Sequence, residues 1–416
     1  MILLLIAIFS LGYLAIILEH LIKINKSAVA MFMAIACWAV FFILSPEADK
    51  INLNALNTQV AGIAQIFFFL LGAMTIVELV DSHRGFKVIT DAIKTTSKRK
   101  MLWLIAVVAF FLSSILDNLT TTIVMISLLR KIIPNAKDRL LFCCLVVVAA
   151  NAGGAWTPIG DVTTTMLWIG GQISSWAVMK SLFIPSVVSF LIPLLYFTWK
   201  SKGRLAPIEK QKQEQEEPGA SIVFSFGVGG LVFVPIFKAW TGLPPFMGIL
   251  ISLSLLWLIT DGLHTPYENR KHLRVPHTLT KIDISGVLFF LGILLAVGAL
   301  ESAHLLQALA NWLSAQLSSL PALATLIGIF SAVIDNVPLV AATMGMYPLE
   351  QFATDHPLWM MIAYAAGTGG SILIIGSAAG VALMGMEKID FVTYMKKASI
   401  PVLIGYLAGM GAYLIL

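Results

Sequence analysis

The chain has 416 residues, 58% of them hydrophobic and only 12% charged, with a mean hydropathy of +0.91 and a formal net charge of +5. Soluble domains carry about 25% charged residues, so this composition excludes an ordinary soluble protein and leaves a polytopic membrane protein. The three cysteines, Cys37, Cys143 and Cys144, lie in apolar runs without metal-type spacing and are read as packing residues.

Apolar segments fall at 1–18, 27–44, 58–80, 101–133, 139–169 and 174–199, and again at 221–237, 244–260, 284–300, 321–346, 357–386 and 389–415. Runs of about 18 to 25 residues match helices that cross a bilayer at 1.5 Å per residue, and the alternation a barrel needs is missing. The first run, MILLLIAIFSLGYLAIIL, lacks a basic leader and a convincing cleavage site, and is expected to be a retained helix. Residues 200–220 are polar, mixed in charge and contain proline. They separate a first membrane repeat, 1–199, from a second, 221–416.

The two halves echo one another. Asp117 and Asn118 sit in SSILDNLTTTIVMISLL, and 218 residues later Asp335 and Asn336 sit in SAVIDNVPLVAATMGM. NAGGAWTPIGDVTTTMLWIGG, from Asn151, is answered by GTGGSILIIGSAAGVALMGM, from Gly367. An ionised carboxylate at bilayer depth costs at least about 3 kcal/mol, so two at matching places point to a site.

Counting cations decides how the Asp-Asn segments meet the bilayer. If each enters and returns on one side, 24 of the 27 Lys and Arg fall on one face and only Lys50, Lys180 and Lys238 on the other. By the positive-inside rule the first face is cytoplasmic. This placement also accounts for the net charge without any nucleic-acid partner. The expected fold is therefore an all-α polytopic membrane protein of two inverted repeats, each with five full spans and one re-entrant hairpin, with both termini outside and the 200–220 linker cytoplasmic. Before each hairpin lies a stretch expected as a helix in the membrane interface. One is RGFKVITDAIKTTSKRK, with Phe86, Ile89 and Ile93 on one face; the other is SAHLLQALANWLSAQLSSL, with Leu305, Leu309, Trp312 and Leu313.

Gly and Pro in NAGGAWTPIGDVTTT break the backbone ladder, which bilayer depth tolerates only where the freed groups line a cavity. Asn151, Thr157, Asp161, Thr163 and Thr164 would supply oxygens there, and Thr368, Ser371 and Ser377 in the second half, which has no acid matching Asp161. Hard cations prefer such oxygen donors, and no Cys or His lies in these loops. A buried acid that holds a proton when neutral and a cation when ionised can exchange one for the other. Glu78 and His83, and their counterparts Glu301 and His304, stand at helix ends as possible pH-sensing groups. His264, His272 and His277, in a basic loop, are expected to be solvated or lipid-facing, and the Trp residues to mark interfaces.

The paired DN hairpins with the NAGGAWTPIGD and GTGGS loops resemble the NhaD-type sodium/proton antiporters of the ion transporter superfamily, which also holds arsenite-efflux and dicarboxylate branches. The resemblance implies exchange of Na+ or Li+ for H+ with no cofactor. It also implies a homodimer whose scaffold carries mobile transport domains in elevator fashion, set in lipid in a bacterial inner membrane. It implies polar ligands at Asp117, Asn118, Asn151, Asp161, Thr163, Thr164, Asp335, Asn336, Ser371 and Ser377, with Na+ at Asp117, Asn118, Asp335 and Asn336. Dicarboxylate relatives have Ser-Asn-Thr at the hairpin tips; Asp in place of Ser would repel an anion. Arsenite efflux and sodium-coupled uptake of an organic anion are the rivals within transporters, and no Arg at a mid-membrane position weakens the anion case. An intramembrane hydrolase and a channel are the other classes. Neither Gly-x-Gly-Asp nor His-Glu-x-x-His occurs, so an enzyme is not expected.

Overall fold

The structure is a computed structural model that describes residues 1–17, 19–45, 49–86, 95–133, 135–201, 203–205, 217–316, 319–333, 335–389 and 391–416. Ile89 and Ile93 of the first expected interfacial helix, and 206–216 of the linker, lie outside the described residues. The described chain is almost wholly helical. In the first half α1 spans Ile2–Ile17, α2 Lys26–Leu44, α3 Asp49–Ser82, α4 Lys98–Ser113, α5 Asn118–Ile132, α6 Ala136–Gly154, α7 Val162–Ile169 and α8 Ser175–Lys200. In the second, α9 spans Ala220–Thr241, α10 Pro245–His264, α11 Ile284–Ser302, α12 Leu305–Gln316 and α13 Leu320–Phe330. They are followed by α14 at Asn336–Met346, α15 at Pro357–Gly369, α16 at Ala378–Glu387 and α17 at Phe391–Ile415.

Seven of the described helices, α2, α3, α8, α9, α10, α11 and α17, are long and apolar enough to cross a membrane. Of the remaining apolar runs, the first forms the single shorter helix α1 and the other four are interrupted. Those at 101–133, 139–169, 321–346 and 357–386 each break into two helices, at the Asp-Asn pairs and at the Gly-rich loops. The breaks have local causes. Asp117, Asp161 and Asp335 each accept a backbone hydrogen bond from the helix that follows, which favours starting a new helix over continuing the old one.

Packing follows the duplication. α4 lies on α6 as α13 lies on α15, and the helix after each Asp-Asn pair crosses to the other half: α5 packs on α16, α14 on α7. α8 and α17 run against each other and close the broken runs, while α1–α3 and α9–α11 form a second group. Paired glycines make the tight crossings possible. A Cβ on Gly153 would strike the carbonyl oxygen of Phe110, and one on Gly369 that of Gly328; Gly160 and Gly376 likewise abut the carbonyls of Ser113 and Ser331. Polar bonds repeat as well, Ser113 Oγ donating to Ala150 O at 2.6 Å and Ser331 Oγ to Ala366 O at 3.1 Å.

The second interfacial stretch is helical, as expected: α12 buries Leu306 and Ala310 and leaves Leu309 and Trp312 exposed. The cysteines are buried and free. Trp176, Trp199, Trp240 and Trp312 are exposed, whereas Trp168 and Trp359 are fully buried and depart from the expectation that Trp marks interfaces. Trp359 satisfies its indole N–H on Phe352 O at 2.9 Å, and Lys238 of α9 stands 4.5 Å over the Trp168 ring while donating to the Trp168 carbonyl. Burial of an indole depends on such partners, which lie elsewhere in the chain.

Candidate functional site

The inner ends of the broken helices converge on one polar cluster. Asp161 caps α7, its Oδ1 accepting from Thr163 N at 2.9 Å and Thr163 Oγ1 at 2.8 Å. Its Oδ2 accepts from Asn118 Nδ2 at 2.7 Å. The same amide of Asn118 donates to Asn151 Oδ1 at 3.0 Å, and Asn151 Nδ2 donates to Ser371 Oγ and Ser377 Oγ, both at 2.8 Å. All six side chains are buried. The cluster thus runs from the first half into the second.

Its polarity is determined by Asp161. A carboxylate only accepts, so Asn118 must turn its NH2 toward it, which obliges Asn151 to present its oxygen to Asn118 and its NH2 to the two serines. Ser377 occupies the position that answers Asp161 in the repeat and does what Asp161 does, capping the following helix through Gly380 N. Symmetry of backbone is kept while charge is not.

The acids of the two Asp-Asn pairs lie beside this cluster. Asp117 is half-buried and accepts from Thr120 N and Thr120 Oγ1, each at 2.7 Å. Asp335, also half-buried, accepts from Val337 N at 3.2 Å, and Asn336 is buried next to it. Thr164 and Thr157 donate to backbone carbonyls, of Asp161 and Ser114, and Thr368 to that of Tyr364. Their hydroxyls therefore shape the breaks.

Sequence reasoning missed several residues. Thr120 was detectable as the third residue of the helix that Asp117 caps. Thr121 and Thr122 are fully buried on α5 one turn beyond Asn118, and their hydroxyls have no hydrogen-bond partner among the described residues. A cavity of about 70 Å³, room for a few waters, is lined by Asp117, Asn118 and Thr120 together with Asp283, the cap of α11, and Gly286 in its first turn.

Among the described residues, no side-chain hydrogen bond joins the four possible pH-sensing residues to one another. Glu78 accepts from Ser82, Glu301 accepts from Gln59 Nε2 at 3.1 Å, and His304 is exposed in the turn after α11. His83 instead faces His264, Nε2 to Nε2 at 3.0 Å, both rings fully buried. This corrects the expectation for His264, whose basic surroundings said nothing of the helix packed over it. His83 Nδ1 lies 2.7 Å from Leu79 O and must donate, so its Nε2 accepts from His264. Burial holds His83 below its ordinary pKa, an effect the Leu79 carbonyl partly offsets. A depressed folded-state pKa gives stability present above the unfolded value and lost as pH falls. Thermal melts in detergent are expected to drop between about pH 7 and about pH 5, and to drop less in His83→Gln.

Broken membrane helices whose ends meet on buried polar side chains are the architecture of a membrane transporter. A family model described as citrate transporter matches residues 13–361. The chain belongs to this family of transporters, on its NhaD-type branch. It is 53% identical over 410 residues to sodium/proton antiporter 1 of Arabidopsis thaliana, covering 98% of this chain and 71% of that protein. It is 48% identical to sodium/proton antiporter 2 of the same plant, over 98% of both. With the Na(+)/H(+) antiporter NhaD of Vibrio cholerae it shares 28% identity over 98% of this chain and 90% of that one.

Proposed function

We propose that the chain exchanges Na+, or Li+, for H+ by moving the broken helices as one body between two access states. One observation carries the choice of cation. Of the four helices that begin at the centre, α5, α7, α14 and α16, three are capped by carboxylates of the chain itself, Asp117, Asp161 and Asp335, and one by Ser377. A helix N-terminus carries partial positive charge and binds anions when left open. Here the chain's own carboxylates occupy three such ends, leaving an anion such as citrate little to bind and a cation a ring of oxygens. The names of the plant and bacterial relatives agree with this reading.

Asp117 and Asp335 take a proton or a cation in turn, with Asn118 and Asn336 beside them. Asp161, Asn151, Ser371 and Ser377 tie the two halves together, and Thr163 and Thr164 hold Asp161 in place. The repeats are inverted, the Asp-Asn segments are re-entrant hairpins, α1–α3 with α9–α11 form the scaffold of a homodimer, and the basic face is cytoplasmic. The plant relatives widen the setting from a bacterial inner membrane to other proton-coupled membranes.

In everted vesicles holding a pH gradient, Na+ or Li+ should dissipate the gradient with the wild-type chain and not with Asp117→Asn or Asp335→Asn. A response to arsenite alone, or to succinate or citrate alone, would overturn the reading.

A further inference from the structure

Asp283 caps α11 through Gly286 N at 2.9 Å and is exposed, yet its side chain lines the same cavity as Asp117. The lining therefore holds two carboxylates, the exposed Asp283 and the half-buried Asp117. The rest of the lining is mainly apolar, with residues of α3, α7 and α11. Low-dielectric walls with one sign of charge focus the field along a cleft and raise the local concentration of counter-ions. The sequence around Asp283 opposes this: Lys281 lies two residues away, and the loop 261–283 carries four Lys and Arg against three Asp and Glu. Gly286 leaves room for the acid, since a Cβ there would press on Asp283 Oδ2. Among the described residues Asp283 has no ion-pair partner.

We infer that Asp283 is the cation-recruiting group at the mouth of the cavity, drawing Na+ from a basic surface toward Asp117. The inference rests on the cation reading above. It makes Asp283 a positioning residue that acts on arrival of the ion and not on its release or on the proton.

The test uses Asp283→Asn, because Asn caps a helix as well as Asp does and removes only the charge. In everted vesicles at low ionic strength the KM for Na+ should rise about 5-fold, the maximal rate should stay within about twofold, and the KM difference should shrink below about twofold when choline chloride is raised to about 0.3 M. Right-side-out vesicles should show no KM change, and Gly286→Ala, which displaces the carboxylate, should behave as Asp283→Asn does. An unchanged KM in an otherwise active Asp283→Asn protein, or a KM rise that salt does not reduce, overturns the inference alone. A wild-type chain that ignores Na+ and Li+ overturns the cation reading on which it rests.

Discussion

Asp161→Asn should leave the protein folded and cut Na+-driven exchange by about 100-fold or more, the scale of losing roughly 3 kcal/mol of interaction at a buried charge. Asparagine keeps an oxygen for Thr163, so the cap on α7 survives. Its amide then meets the NH2 of Asn118 at what was a 2.7 Å bond, donor against donor. Relief requires Asn118 to turn over, which sets its oxygen against Asn151 Oδ1 and forces that amide to turn as well. Ser371 and Ser377 would then have to donate where they now accept. One lost charge thus reverses the cluster from the first half to the second. Asp161→Ala should do more, since it leaves Thr163 N–H, the Thr163 hydroxyl and one Asn118 amide hydrogen buried without acceptors, and should cost about 3 kcal/mol of stability in addition. Vesicle exchange and thermal melts of the two variants, measured together, separate the effects; equal melts with full exchange in Asp161→Asn would exclude the acid from the site.

The second large effect is expected far from the cluster, at Glu387. This side chain ends α16 at 3% exposure and joins Arg139 of α6, 10% exposed, at 2.8 Å, and Arg130 of α5, 45% exposed, also at 2.8 Å. Arg139 Nη1 also donates to Ile133 O at 2.6 Å. Removing one member of a buried pair strands the other charge and costs about 3 to 5 kcal/mol, whereas an exposed member contributes about 1 kcal/mol at most. Melting should therefore fall strongly in Glu387→Gln and Arg139→Ala, little in Arg130→Ala, and partly recover in Glu387→Gln combined with Arg139→Met. Equal losses for both arginines would contradict the burial argument. The repeat places another clip at matching positions: Asp355 answers Arg139, and Gly171 answers Glu387. There Thr354 Oγ1 donates to Gly171 O, Asp355 N to Gln172 O and Ser174 N to Asp355 Oδ1, at 2.6 to 2.8 Å. Two clips, one ionic and one mostly backbone, hold the broken helices of both halves together. A loosened Glu387 clip should accordingly slow exchange as well as lower the melt.

Much of the fold was legible because its signals are local. Apolar length marked the segments, and Asp, Gly and Pro inside them marked where helices must stop, since each acts on amides within a turn of itself. The duplication was visible for the same reason: Gly153 and Gly369, or Asp117 and Asp335, keep their spacing because each repeat must make the same crossings. Asn118, Asn151, Asp161, Ser371 and Ser377 were named as one group by the family resemblance, and the structure does bring them together. Asp283 and Glu387 gave no such signal, being ordinary acids at helix ends in polar stretches.

The sequence by itself therefore determined that this is a duplicated membrane protein, where its helices break, and which acids cap the breaks. Only the tertiary structure decided that Asn151 reaches across to the serines of the other half, that His83 meets His264, and that Asp283 shares a cavity with Asp117. The reason is range. A helix end is set by side chains a few residues away, whereas a contact across some 200 residues depends on how whole faces pack, and many sequences with the same local pattern would pack them differently.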